Sequence, residues 1–110
     1  MQSNEEIKNK TEWFAGLMED VLRRNAHKNG WSECSLLWLQ AKLTEEVGEL
    51  GRILAKELHT PEGKYVSIGD ANTNPVLRAA LFEAVDVANI ALMIADLLSL
   101  GEVGGEKWTG

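Results

Sequence analysis

Apolar residues recur at three- and four-residue steps in three separate stretches of the chain, the spacing of one face of an α-helix. In the first, from about Ser3 to His27, the stripe is Trp13, Phe14, Leu17, Met18, Val21 and Leu22. Ser3 and Glu6 stand at capping-box spacing, where each side chain can satisfy a backbone N–H at a helix start. Asn29-Gly30 suit the left-handed residue that ends a helix. The second stretch runs from about Ser32, read as its N-cap, to Leu58, with Leu36, Leu39, Leu43, Val47, Leu50 and Leu54 on its core face. The third opens at Asn74-Pro75, an N-cap followed by proline at a position where its missing N–H is not needed. It closes at Leu100-Gly101.

Between the second and third stretches, His59 to Thr73 contains Pro61, Gly63, Gly69, Asp70 and Asn72 and reads as a long loop. Loops of that length are uncommon in compact domains and are often functional. Tyr65-Val66-Ser67-Ile68 could form a short extended piece within it, and no longer strand pattern occurs. The fold class is therefore all-α: a helical bundle of about three long helices in a single domain over residues 1–110, with its core at about 3–101. The tail at 102–110 is expected to be flexible unless Trp108 docks. Trp13 reads as core.

The third helix is apolar on two faces. Leu77, Leu81, Val85, Ala88, Leu92 and Ala95 form one; Phe82, Ile90, Met93 and Leu97 form the other. A helix apolar on both sides is normally buried on both sides. Three such helices are too few to cover one another, so self-association into a homodimer or homotetramer is expected to complete the bundle.

Composition narrows the function classes. The 110 residues are 45% apolar and 25% charged, ordinary for a globular protein, and the net charge is −6. Such a surface has no pull on a nucleic acid polymer or an anionic membrane. The longest apolar stretch, about Ala84 to Leu100, is interrupted by Asp86, Asn89 and Asp96, which argues against a membrane span. Cys34 is the only cysteine, so neither an intramolecular disulfide nor a thiolate metal cluster can form. The polar, acidic start of the chain is unlike a signal peptide, and a cytoplasmic location is expected.

The candidate chemistry lies in Glu45-Glu46-Val47-Gly48-Glu49 and Glu83-Ala84-Val85-Asp86. Projected at roughly 100° per residue, Glu46 falls about 60° from the leucine stripe and Glu49 about 120° on the same side, close enough to converge on one point. Glu83 and Asp86 sit at i and i+3 within an apolar face. There two carboxylates repel one another and lose hydration unless a cation compensates. Mg²⁺ or Mn²⁺, hard ions that prefer oxygen ligands, is the simplest candidate. Acid clusters on helices are more often solvated faces, and the Glu45-Glu46-Glu49 group alone would be read that way. The second pair, set among apolar neighbours, tips the balance toward a metal site.

Glu45-Glu46-x-x-Glu49 followed a helix later by Glu83-x-x-Asp86 resembles the MazG-like branch of the all-α nucleoside triphosphate pyrophosphohydrolases. The context agrees: an amphipathic first helix, then Gly30-Trp31, then Leu39-x-x-Lys42-Leu43 leading into the acids. The resemblance covers about residues 8 to 100. It implies a four-helix-bundle-like fold completed by self-association. It also implies Mg²⁺-dependent cleavage of NTPs or dNTPs to monophosphate and pyrophosphate. By motif position, Glu46, Glu49, Glu83 and Asp86 would be the metal ligands, and Glu45 or Glu49 the catalytic acceptor of a water proton.

Other side chains carry less weight. Lys42 and Lys56 project near Glu49 and could meet substrate phosphates, or simply pair with helical acids. Asn89 could bond a base or sugar, or a neighbouring helix. Trp31 and Trp38 could stack on a nucleobase, with Trp31 the better placed, although packing is the commoner use of tryptophan. His27 and His59 lack a partner at zinc spacing, and neither a Walker-type glycine loop nor a Gly-x-Ser-x-Gly elbow occurs. The alternative to an enzyme is a non-catalytic helical dimerisation module whose acids form a solvated patch or a structural cation site.

Overall fold

A computed structural model describes residues 2–25, 30–59, 61–62 and 69–100. Three helices make up the architecture, α1 (Asn4–Arg24), α2 (Leu36–Glu57) and α3 (Pro75–Leu100), with no extended strand among the described residues. The all-α class thus holds. The expected piece at Tyr65–Ile68, the helix stops at Asn29 and Gly101, and the tail with Trp108 lie outside the described residues; Gly30 is described and does not take the left-handed conformation expected of the Asn29-Gly30 stop.

Local chemistry sets most helix ends. Ser3 Oγ accepts the Glu6 N–H at 3.1 Å and starts α1, with Glu5 and Glu6 favourably placed at the positive end of the helix dipole. Helix α1 stops at Arg24, earlier than His27. Asn25 closes it by donating its backbone N–H and its side-chain Nδ2 to the Val21 carbonyl. The start of α2 differs from the sequence expectation. Ser35, not Ser32, is the N-cap, and its Oγ accepts the Trp38 N–H at 3.0 Å. Ser32 is held in a turn closed by the Cys34 N–H on the Trp31 carbonyl, so helical geometry cannot begin there. Asn74 caps α3 as expected, its Oδ1 accepting the N–H groups of Val76 and Leu77.

Helix α3 is central. Both α1 and α2 pack on it, and they do not pack on one another. The fully buried side chains are Leu39, Leu58 and Val85, with Ala80 and Ile90 nearly so. On α2 the buried line is therefore Leu39–Glu46, continued by half-buried Leu43, Leu50 and Ile53, and not the full leucine stripe. Leu36, Val47 and Leu54 stay exposed. The helix is turned so that Glu46, not Val47, faces α3.

Helix α1 contributes only half-buried residues, Phe14, Leu17, Met18, Val21 and Leu22. Trp13 is not core: 57% of it is exposed, tilted against Phe14 with ring centroids 6.0 Å apart. One face of α1 touches α3, and Trp13 lies beyond that face's edge. Leu37 (78% exposed), Trp38 and Leu98 also show large apolar surface. Among the described residues, no helix is long and apolar enough to cross a membrane.

Candidate metal centre

The rotation of α2 brings the two acidic segments together. Glu46 and Glu49, one turn apart on α2, and Glu83 on α3 each offer a carboxylate oxygen, and these oxygens lie within 4.8 Å of one another. Glu46 is buried; Glu49 and Glu83 are half-buried. Glu83 Oε2 is buried without a hydrogen-bond partner among the described residues.

Three carboxylates cannot all remain charged at this spacing without compensation. Burial pushes Glu83 up to about 8 from an ordinary 4.5. Hydrogen bonding to Glu46 and Glu49 and the repulsion of their charges add to the rise. Asp86 is raised as well, chiefly by burial and then by the charges of Glu46 and Glu49, with Lys42 opposing. Lys42 is the nearest compensating charge, with its Nζ 3.5 Å from Glu45 and 3.6 Å from Glu46. Its own value is raised, first by Glu45. Among the described residues, no cation forms an ion pair with Glu83.

The donor set fits a hard divalent cation. It is all oxygen, it converges from two rigid helices, and a buried oxygen of Glu83 is available as a ligand. Asp86 is outside the convergent trio and lines a neighbouring cleft; Glu45 is exposed at the side, paired with Lys42.

The cleft, of about 270 Å³, exists because α1 and α2 each rest on α3 without meeting. Asp86, Asn89, Ile90 and Met93 of α3 form its floor. Trp38, Leu39, Lys42 and Glu46 of α2 form one wall, and Val21, Leu22 and Asn25 of α1 the other. Glu46 belongs to both cleft and trio, so the two are continuous. Asn89 is 3% exposed. Its Nδ2 donates to the Met18 carbonyl at 3.3 Å, while its Oδ1 is buried without a partner among the described residues.

Trp38, more than half exposed, is the indole on this cleft. Trp31 does not line it. The Trp31 Nε1–H donates to Asp96 Oδ2 at 3.0 Å and ties the α1–α2 connection to the far end of α3. Lys56 is exposed on the last turn of α2, outside the cleft lining. His59 Nδ1 contacts the Leu54 carbonyl, and Cys34 is half-buried.

Fold and site together define an all-α chain with a carboxylate centre between two helices and a small cleft beside it. No known family model, curated protein or solved structure matches this chain.

Proposed function

We propose that this chain is a divalent-cation-dependent hydrolase of nucleoside triphosphates, releasing pyrophosphate and the nucleoside monophosphate. The observation that carries the reading is the convergence of Glu46, Glu49 and Glu83 from two helices onto one point, with a partnerless buried oxygen on Glu83. The carboxylate pattern that resembles MazG-like enzymes supports it, as does a cleft of suitable size sharing Glu46 with the trio.

Glu46, Glu49 and Glu83 would hold Mg²⁺ or Mn²⁺, with Asp86 on the adjoining cleft. When bound, such an ion supplies neutralisation of phosphate charge and a water more acidic than bulk. The protein's part is positioning and proton transfer. Glu49, half-buried and at the solvent side of Glu46, accepts the proton of the attacking water; Glu45 is the second candidate for that role. Lys42 holds Glu45 and Glu46 in place and presents its ammonium to the phosphates at the cleft wall. Leu39, Ile90 and Met93 give the cleft part of its apolar lining.

The active form is a homodimer or homotetramer, in which Leu37, Trp13 or Leu98 finds cover that the described residues of a single chain do not give. Those same exposed residues favour a second reading, a non-catalytic helical association module whose trio holds a structural cation. Product analysis separates the two. Incubation of the protein with a panel of NTPs and dNTPs and Mg²⁺ should yield equal amounts of pyrophosphate and monophosphate, stopped by EDTA. Release of orthophosphate and diphosphate would contradict the proposed cleavage site, and no release would favour the association module.

A further inference from the structure

The outward side of α2 lacks the charges of a solvent-facing helix. Along about five turns its centre line runs Leu37, Ala41, Thr44, Gly48, Gly51 and Ala55, every one exposed and none charged. Val47, 48% exposed, and Leu54, 37% exposed, border that line on one side, and Leu37 itself is 78% exposed. Of the other helices only α3 touches α2, on the opposite side, where Leu39 and Glu46 are buried. The outer face of a surface helix normally carries its charged residues. Here the uncharged face is the one left without cover.

Two glycines sharpen the point. Glycine is the poorest helix former after proline, yet Gly48 and Gly51 stand inside α2. A Cβ at either position would meet no atom within 4 Å. Nothing in the chain itself requires glycine there, whereas close approach of a second backbone does.

On the remaining border, Glu45 and Arg52 lie two turns apart and within about 20° of one another in projection. Arg52 forms no ion pair among the described residues. A two-fold axis passing between them, perpendicular to α2, sets Glu45 of each copy beside Arg52 of the other. The same axis brings the Val47 and Leu54 border against its counterpart. Turned antiparallel, the face is complementary to itself in charge as well as in apolar surface.

We propose that α2 packs antiparallel on α2 of a second copy through this face, centred near Gly48, with reciprocal Glu45–Arg52 pairs along one border. The inference rests on the self-association in the reading above, not on hydrolysis, and specifies which surface carries it.

Sedimentation equilibrium on the full chain tests it. The wild type should self-associate at micromolar concentration. Gly48→Arg and Gly51→Arg should keep their helix content by circular dichroism and weaken association by about a hundredfold or more, the scale of a charge buried unpaired at an interface. Gly16→Arg, at an exposed glycine of α1 with equal room for a side chain, should associate like the wild type. Arg52→Glu sets acid against acid at both ends of the dyad and should weaken association about tenfold, less so at high salt. A monomeric wild type would overturn the inference and remove self-association from the functional reading as well. An oligomer that withstands both α2 glycine changes, that Gly16→Arg disrupts equally, or that ignores Arg52→Glu would overturn the inference alone. Should the α2 arginine variants lose helix content, Gly48→Cys decides. Mild oxidation should then join two copies near the dyad, and an associating protein that forms no more disulfide than the wild type, whose only cysteine is Cys34, would contradict the proposed face.

Discussion

Glu46 on α2 and Glu83 on α3 hold carboxylate oxygens within 4.8 Å of one another across the interface between two packed helices. Such a contact is repulsive when both are charged, and a helix interface has no reason to retain it for stability alone. A proton or a cation must sit between them. Without metal, burial pushes Glu83 up to about 8, and the hydrogen bonding and charges of Glu46 and Glu49 add to the rise.

The sign of the pH dependence follows from that relationship. The folded value of Glu83 lies above its ordinary 4.5, so the folded state binds more protons than the unfolded one between pH 4.5 and about 8. The stabilising contribution of the protonated group is complete below that window and is lost as pH rises through it. Chemical denaturation without metal should therefore show this contribution falling from pH 5 to pH 8.5. Saturating Mg²⁺ should act in the opposite direction. Its stabilisation should grow with pH, because the ion needs the ionised carboxylates.

Replacing Glu83 with Gln removes one carboxylate and keeps the shape. Without metal at pH 8.5, this variant should melt higher than the wild type, because the mutual repulsion is relieved. With Mg²⁺ or Mn²⁺, the wild type should gain melting temperature through linkage, and Glu83→Gln should gain little or nothing. An equal metal-induced shift in the two proteins would show that the ion binds elsewhere.

The two candidate caps of α2 can be told apart. Ser35→Ala removes the acceptor of the Trp38 N–H and should cost about 1 kcal/mol in urea denaturation. Ser32→Ala lies in the preceding turn and should be near neutral. The reverse order would mean that α2 begins at Ser32.

The sequence made the three helices legible because their apolar periodicity and the caps Ser3 and Asn74 are local signals. The resemblance and the i, i+3 spacing within each pair put Glu46, Glu49, Glu83 and Asp86 in one group; the first three converge, and Asp86 lies outside the trio. The rotation of α2 was less visible. Six residues at leucine-stripe positions outweighed the buried line through Leu39 and Glu46, and only contact with α3 decides which line faces inward. The cleft was invisible to periodicity, because it arises from the failure of α1 and α2 to meet. Trp38 and Lys42, four residues apart on one side of α2, were its only signal. The same tertiary cause separates Trp31 from the cleft, through an Asp96 partner 65 residues away.

That long-range contact is itself testable. Trp31→Phe keeps most of the apolar surface and deletes the Nε1–H donated to Asp96. The expected loss is about 0.5–1.5 kcal/mol in equilibrium unfolding. Because Trp31 does not line the cleft, the affinity for Mg²⁺ should be unchanged within about twofold, a difference of only ~0.4 kcal/mol. A large loss of metal affinity would mean that the α1–α2 connection reaches the site.

The central claim is that the carboxylate trio holds the cation that drives triphosphate cleavage. Its most direct measurement is Mg²⁺-dependent release of pyrophosphate and monophosphate by the wild type and by Glu46→Gln, the residue shared by trio and cleft. The account predicts stoichiometric release by the wild type and a fall of about a hundredfold or more in the variant, on the scale reported for loss of one group that stabilises transition-state charge. Undiminished release by a folded Glu46→Gln would contradict it.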